Sequence, residues 1–584
     1  MTIVEQILTD VHAVLLAHFR HTWIIVTATS AICVAWAVGR TATTRSQSES
    51  KTDLFLTWRL VGMPKDMTAL ALLAVFLGSY SAMILVWEDF AYYDNSFFTL
   101  STLKGHNIGP PIWQGEGRFW PLGYQEFNLV RHFTDTIIGY HVLAIVQLFV
   151  FVCILLLCDD ELSMAARVSL AFVALLTPSI LISFSGLIFP ERNVLLLLAC
   201  LVLSIKRFEK TQSTPWAVAA AVCAQIMIYY KETAFLLLLG LAAGRLVLRC
   251  RDGRHWKWDR HRLWDKEGRL DFCLACLAVL FLLYYFAVMG VHPNTHYATV
   301  RRQPIAEILL AYLRLDLLTW FFVAVVLARI YLILRYRIEA SPLWDGLAFG
   351  GVACFVAYDY LGIFAPNYLA PVDLIAVLYI GRFAILLPKE THLWSKVTVL
   401  LLTFAVLVQN AFFSTFSVFE RKNGIYAKVE IARVVEAQSR GRAGNAVRLF
   451  FPFAKPYVIM EFASYLSYRG IAVEGFEEEG SRRNPVVLAA AAVAKDGPCI
   501  EYRSFECHAV SGPASGDLVI VLPDDEASLA QASVYRAGRE LLFFYKPHPP
   551  IPQWLDFVIA SLHVGAGEFT LPDRWMDGSV TIWR

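Results

Sequence analysis

Long apolar stretches alternate with short polar ones along most of this chain. They cover 14–38, 67–87, 136–157, 167–187, 193–205, 215–229, 234–248, 272–290, 308–334, 342–362, 372–387 and 395–414. Most approach or exceed the roughly 20 residues that an α-helix needs to cross hydrocarbon. The pattern therefore predicts about eleven to thirteen spanning helices. Stretch 193–205 is short enough to be tilted or continuous with its neighbour. From 415 onward the pattern changes to short apolar runs between polar ones. Runs 447–453, 517–522, 541–545 and 580–583 read as strands, and 457–468 and 526–537 as helices. The expected architecture is an α-helical polytopic membrane domain, 1–414, followed by a soluble α/β domain, 415–584. No glycine-rich loop follows a strand there, so nothing signals a nucleotide site.

Composition agrees. Hydrophobic residues make up 57% of the chain and charged ones 17%, against about 25% charged in soluble proteins. A net charge of +2 without a basic tail gives no sign of a nucleic-acid partner. The first apolar stretch lacks a small-residue cleavage site and reads as retained. Most of the eleven cysteines lie in apolar stretches and read as packing. That includes the Cys273-x-x-Cys276 pair, which has no second ligand pair near it. Cys499 and Cys507 fall in the polar C-terminal region and are candidates for a disulfide if that region lies outside the cytoplasm.

Lysine and arginine set the orientation. They gather in 39–66, after 205, in 249–271, at Arg335 and Arg337, and at Lys389 and Lys396. These loops alternate with the others and are expected in the cytoplasm. The first outer loop, 88–135, is long and rich in Trp and Tyr, most of which read as an interfacial belt. It opens with Trp87-Glu88-Asp89, continues to Asn95, and places two carboxylates where a helix leaves the membrane. Carboxylates at that depth are costly and point to function, although acidic caps of a helix are the plain alternative. Two tight outer turns each hold an acid beside a base, Glu191-Arg192 and Lys231-Glu232. Their plain alternative is a local ion pair of little worth. Further outer segments hold His292, His296, Arg301 and Arg302, and Asn367-Tyr368-Leu369-Ala370-Pro371.

This set of residues suits glycosyl transfer from a sugar on a lipid phosphate. A carboxylate serves as base for the attacking hydroxyl, and cations hold the leaving phosphate. The motifs resemble those of the GT-C superfamily of membrane glycosyltransferases, which use polyprenyl- or dolichyl-phosphate sugars. Trp87-Glu88-Asp89 is similar to the acidic motif that opens the family's first outer loop. Tyr230-Lys231-Glu232-Thr233 and Pro190-Glu191-Arg192 resemble turns of the protein O-mannosyltransferase branch. Residues 367–371 resemble the Arg-Tyr-x-x-Pro turn of aminoarabinose and arabinosyl transferases, with Asn367 in place of the Arg. The stretch 14–38 is an extra span before the family's first helix. The Trp-Trp-Asp-Tyr-Gly signature of oligosaccharyltransferases is absent.

The resemblance implies Asp89 as base, with Glu88 as alternative or orienting group. It implies Lys231 and Arg192, then Arg301 and Arg302, as holders of the donor phosphate. Glu191, Glu232, Asn95, Tyr368 and His292 are then substrate contacts. A divalent cation, Mg or Mn, would bind Glu88, Asp89 and Glu191 if one is used, and no cofactor is certain. The expected partners are a polyprenyl-phosphate-linked sugar and a glycan, glycolipid or protein acceptor. A bacterial inner membrane is the expected location, with the site on the periplasmic side. An O-antigen ligase or polymerase, a lipid-linked-sugar flippase and a non-catalytic scaffold are the competing classes. On the topology, single cysteines placed in 39–66 and 249–271 should label only from the cytoplasm. Those in 88–135 and 415–584 should label only from outside. Labelling of 415–584 from the cytoplasmic side alone would overturn the scheme.

Overall fold

The computed structural model describes residues 64–85, 118–250, 260–289, 305–361 and 365–386 with few interruptions. It also describes parts of 102–113, 404–414, 427–478, 507–521 and 538–583. Each apolar stretch predicted between 67 and 387 coincides with a helix or a helix pair. These are α1 (Pro64–Leu85), α3 (Ile137–Cys158), α4 (Met164–Leu175), α5 (Pro178–Ser185), α6 (Glu191–Thr211) and α7 (Thr214–Tyr230). They continue with α8 (Ala234–Cys250), α9 (Lys266–Met289), α10 (Ile305–Leu315), α11 (Leu317–Tyr336), α12 (Pro342–Leu361) and α13 (Ala370–Leu386). A short helix, α2 (Gln125–Val130), lies in the first outer loop. The stretch 14–38 lies outside the described residues, and 395–414 is described only in part.

Four described helices, α1, α3, α9 and α11, are long and apolar enough to cross a bilayer alone, and the pair α4–α5 makes a fifth crossing if counted as one. The chain is an integral membrane protein. Two predicted spans are broken rather than continuous. Between α4 and α5 the direction turns by 72°. Pro178 removes a backbone donor and forces Thr177 out of the helical region, so the helix must restart there. Between α10 and α11 the break is Asp316. Its carboxylate accepts from the backbone N–H groups of Leu318 (2.9 Å) and Thr319 (3.3 Å) and so starts a new helix. The short predicted stretch 193–205 is instead the core of a full helix, because the charges at both its ends belong to α6.

Small residues let two helices meet closely. Gly240-x-x-x-Gly244 on α8 faces Gly346-x-x-x-Gly350 on α12. A Cβ at Gly350 would lie 2.6 Å from the Leu237 carbonyl oxygen, and one at Gly240 would lie 2.8 Å from Gly350 Cα. Without a hydrophobic drive between helices in lipid, such backbone proximity is what holds them together.

The helix ends expected on the cytoplasmic side are tied by charge. Asp271 accepts from Arg245 (2.5 Å) and Arg249 (2.8 Å), and Glu209 binds both arginines. Nearby, Asp159, Asp160 and Glu161 form the group of three acidic side chains close enough to share an ion among the described residues. Lys206, Lys210 and Arg382 already pair with them.

In the C-terminal region a helix over 427–440 precedes a six-stranded sheet. Its strands are β3 (Val447–Phe451), β4 (Val473–Glu478), β5 (Cys507–Val510), β6 (Leu518–Val521), β7 (Leu541–Tyr545) and β8 (Val580–Trp583). They lie in the order β5-β4-β3-β6-β8-β7. The pairs from β5 to β6 are parallel, and β8 runs antiparallel to both β6 and β7. The expected strands at 447, 517, 541 and 580 are present, while β4 and β5 are additional. The expected helix 457–468 is described only in part, and 526–537 and the Cys499–Cys507 pairing lie outside the described residues. The sheet's core, with Ile431, Leu449 and Phe462, includes Ile137 at the start of α3. Met83 and Leu103 pack against the same core. The sheet therefore sits at the end of the bundle where α1 finishes and the first outer loop runs.

If the glycine seam carries the α8–α12 contact, Gly350→Val should lower unfolding stability in detergent by about 3 kcal/mol. Gly78→Val should be nearly neutral, since nothing lies within 4 Å of a Cβ at Gly78. Equal effects at the two positions would contradict this packing.

Candidate functional site

Three helix ends and one loop meet at the end of the bundle that the lysine and arginine pattern assigns to the outside. Glu191 and Arg192 open α6 immediately after Pro190. A carboxylate in a first turn is favoured by the helix dipole, whereas an arginine there is not. Lys231 caps the C-terminus of α7, where a cation is favoured. Tyr368 lies on a 3₁₀ turn, Pro366–Leu369, that leads into α13. The first outer loop folds over these ends as a small ribbon, β1 (Ile112–Trp113) against β2 (Arg118–Phe119). The Leu122 N–H donates to the Tyr229 carbonyl at 3.1 Å, and Phe119 packs between Phe281 and Tyr284, so the loop is pinned to α7 and α9.

The charges pair between segments, not within turns. Lys231 Nζ lies 3.0 Å from Glu191 Oε1, and both side chains are buried. Arg118 Nε lies 2.8 Å from Glu232 Oε1. Arg192 faces Glu126 Oε1 from 3.9 Å. The local pairs Lys231–Glu232 and Arg192–Glu191 do not form among these contacts. The reason is geometric: α6 and α7 are antiparallel neighbours, so their outer ends bring one turn's acid against the other turn's base.

Lys231 is boxed by aromatic faces. Its Nζ sits 4.1 Å from the centre of the Tyr368 ring and 5.0 Å from that of Trp120. Arg118 stacks over the same Trp120 at 4.7 Å. Tyr368 stacks on Tyr358 (5.5 Å, 13°), whose hydroxyl hydrogen-bonds Thr233 at 2.7 Å. Cations held over aromatic faces away from water gain appreciably from the ring quadrupole.

Arg192 is different. It is 0% exposed, yet none of its three guanidinium nitrogens has a hydrogen-bond partner. Glu126, its nearest carboxylate, instead accepts from Asn193 Nδ2 at 2.7 Å, and Asn193 Oδ1 in turn accepts from Gln147 at 2.7 Å. Burial pushes the Glu126 carboxyl above the ordinary range, while Arg192 and Asn193 pull it back. A buried guanidinium with five idle donors is costly, and an anion with several acceptor oxygens relieves that cost.

The structure thus brings together Glu191, Arg192, Lys231, Glu232 and Tyr368 of the residues expected from sequence. Asn367 is buried in the same turn as Tyr368. Glu88, Asp89, Asn95, His292, Arg301 and Arg302 lie outside the described residues. One oxygen of the Glu191 carboxylate faces the Lys231 ammonium, and Oε2 has no hydrogen-bond partner. Arg118, Trp120, Glu126 and Gln147 join the site without having been singled out, as does Asn193, which closes the Phe189–Asn193 turn. Arg118, Trp120 and Glu126 were visible only as members of a long polar-aromatic loop.

No protein-family model matches the chain, and no curated protein matches it. Solved structures similar to it include ArnT from Cupriavidus metallidurans, bound to undecaprenyl phosphate, at 12% identity. That match covers 88% of this chain and 98% of the other, with a TM-score of 0.46. The apo form of the same protein matches at 12% identity over 82% and 96%, with a TM-score of 0.45. The archaeal oligosaccharyltransferase AglB from Archaeoglobus fulgidus, in complex with an inhibitory peptide and a dolichol-phosphate, matches at 10% identity over 70% and 64%, with a TM-score of 0.39. At this level of likeness the functional reading stands on the residues themselves.

The crossed pairing makes a prediction about stability. Lys231→Met should cost about 3 kcal/mol because it strands Glu191 as a buried, unpaired carboxylate. Adding Glu191→Gln should restore much of the loss, as read from unfolding of the purified variants. Strictly additive losses would mean that the two residues are not coupled.

Proposed function

We propose that this chain is an inverting membrane glycosyltransferase. It transfers a sugar from a polyprenyl-phosphate-linked donor to a hydroxyl of a glycan, lipid or protein on the outer face of a bacterial inner membrane. The observation that supports this most is the buried Arg192 guanidinium without hydrogen-bond partners, beside the boxed Lys231, at the membrane's edge. That is the depth of a lipid phosphate, and a guanidinium can grip two phosphate oxygens at once. Arg192 is the primary phosphate holder in this reading. Lys231, paired with Glu191, lies nearest the aromatic walls of Trp120 and Tyr368 and offers its remaining N–H donors to the phosphate. Arg301 and Arg302 stand next in line.

In the step itself the acceptor hydroxyl oxygen attacks the anomeric carbon, and the bond from that carbon to the phosphate oxygen breaks. The phosphate leaves with the electron pair, and the hydroxyl proton passes to a carboxylate, Asp89 in this reading, with Glu88 as the alternative. Single displacement inverts the anomeric centre. The ribbon of the first outer loop, with Trp120 over Lys231, screens the phosphate from water. A divalent ion, where one takes part, would draw on Glu88, Asp89 and the unpartnered Oε2 of Glu191.

The breaks at Thr177 and Asp316 favour one other reading, a lipid-linked-sugar flippase, since discontinuous helices are common in transporters. Purified protein given a labelled polyprenyl-phosphate sugar and an acceptor separates the two. An enzyme releases polyprenyl phosphate and labels the acceptor, while a flippase leaves the donor intact. In the same assay Asp89→Asn should cut turnover by about a hundredfold with donor binding retained. Arg192→Ala should weaken donor binding by roughly tenfold or more. Wild-type donor affinity in folded Arg192→Ala and Lys231→Ala protein would place the phosphate elsewhere.

A further inference from the structure

Arg192 is not the only group beside it with idle atoms. Glu126 Oε1 accepts from Asn193 Nδ2 at 2.7 Å and faces Arg192 Nη2 from 3.9 Å. Glu126 Oε2 is buried and, among the described residues, has no hydrogen-bond partner. Gln147 Nε2 donates to Asn193 Oδ1 at 2.7 Å, while Gln147 Oε1 is likewise buried and unpartnered. These side chains come from separate elements. Glu126 lies on α2 in the first outer loop, Gln147 on α3, and Arg192 and Asn193 in the first turn of α6. Tyr230, the last residue of α7, lies beside Glu126 and Arg192.

Chemistry fixes the direction of this chain of bonds. An ionised carboxylate only accepts, so Asn193 must turn its NH₂ group to Glu126 and its carbonyl to Gln147. Gln147 must then spend an N–H on Asn193, which leaves its own carbonyl oxygen as a spare acceptor. The result is two buried acceptors, Glu126 Oε2 and Gln147 Oε1, around the three idle nitrogens of one buried guanidinium. Buried polar atoms without partners are costly, and a cluster of them marks a place that a ligand completes. The ligand must bring acceptors to Arg192 and hydrogen-bond donors to Glu126 and Gln147. A phosphodiester alone has no hydrogen to give, and a bare cation has no acceptor. A sugar joined to a phosphate has both.

We infer that Glu126 and Gln147 are specificity-determining residues, each accepting from a hydroxyl of the donor's sugar while Arg192 holds the adjoining phosphate. This rests on the reading of Arg192 as phosphate holder. It assigns the donor a sugar with free hydroxyls close to its anomeric carbon, since those hydroxyls lie nearest the phosphate. Asn193 is a positioning residue: its amide bonds both acceptors and keeps them in fixed relation to the guanidinium. Discrimination follows from the burial. A site that keeps acceptors for a substrate hydroxyl rejects an analogue lacking it far more strongly than an apolar pocket rejects a change of size, because its own polar atoms are then stranded.

The test uses the full chain purified in detergent and equilibrium binding of undecaprenyl phosphate, either bare or carrying glucose, galactose, mannose or arabinose. At least one sugar-bearing lipid should bind the wild type roughly tenfold or more tighter than the bare phosphate. Gln147→Leu should bind the bare phosphate as the wild type does and lose most of that gain. Glu126→Gln should also lose most of it, because Asn193 still holds Oε1 and the new amide presents N–H where Oε2 stood. That variant decides the matter if Gln147→Leu does not fold. Deoxy analogues of the best-bound sugar then locate the hydroxyls. An analogue that costs the wild type about tenfold should cost Gln147→Leu little, a coupling that a merely structural role of Gln147 does not produce. Two results overturn the inference while Arg192-dependent binding of the bare phosphate persists. One is a wild type that binds no sugar-bearing lipid better than the bare phosphate, which would leave water as the occupant of these atoms. The other is deoxy penalties that are unchanged in both variants. Bare-phosphate binding that is absent, or is unaffected by Arg192→Ala, overturns the phosphate reading and this inference with it.

Discussion

Burying charge at the edge of a membrane is expensive, and the outer end of this bundle is organised around that cost. Arg192, Lys231 and Glu191 are all buried there. Lys231 and Glu191 offset each other directly, and two aromatic rings add to the stabilisation of the ammonium. Arg192 has only a distant carboxylate and no hydrogen bond. A protein tolerates such a group when the rest of the structure over-determines its position, and such groups concentrate where a ligand completes the coordination. The asymmetry between the settled lysine and the unsettled arginine is what gives the site a direction: it lacks an anion.

The remainder of the fold serves to hold that arrangement. The α6–α7 antiparallel pair brings the two turns together, and the first outer loop closes over them through Leu122 and Phe119. Glycine faces on α8 and α12 allow backbone contact, which keeps the helix that starts just after Lys231 against the helix that ends near Tyr358. At the opposite end, Asp271 and Glu209 are saturated by Arg245 and Arg249. The contrast is informative. The inner arginines Arg245 and Arg249 each donate to at least two carboxylates, while Arg192 donates to none.

Much of the helical architecture was legible in the chain, because a spanning helix must be apolar along its whole length. The breaks at Thr177 and Asp316 were not read, although Pro178 and a lone aspartate in an apolar run were their signals. Strands β3, β6, β7 and β8 were legible as apolar runs. Strand β4, Val473-Glu-Gly-Phe-Glu-Glu478, was not, because half of its residues are acidic and its place in the sheet comes from β3 and β5 on either side. At the site, the structure replaces the local pairs that were the plain alternative for the acid–base turns with Lys231–Glu191 and Arg118–Glu232. Adjacent residues suggested local pairs, whereas the pairing depends on which helix ends neighbour each other. Asn193 was visible only as the last residue of the Phe189–Asn193 turn, and Gln147 carried no sequence signal, since an amide in an apolar helix gains meaning only from what it faces.

The central claim is that the idle donors of Arg192 await a lipid phosphate. The most direct measurement is an experimental structure of the full chain with a polyprenyl monophosphate. The account predicts the phosphate oxygens within hydrogen-bond distance of the Arg192 guanidinium, with Lys231 still over Tyr368 and the lipid tail running into the bilayer. A phosphate bound elsewhere, with Arg192 still buried and unpartnered, would contradict it.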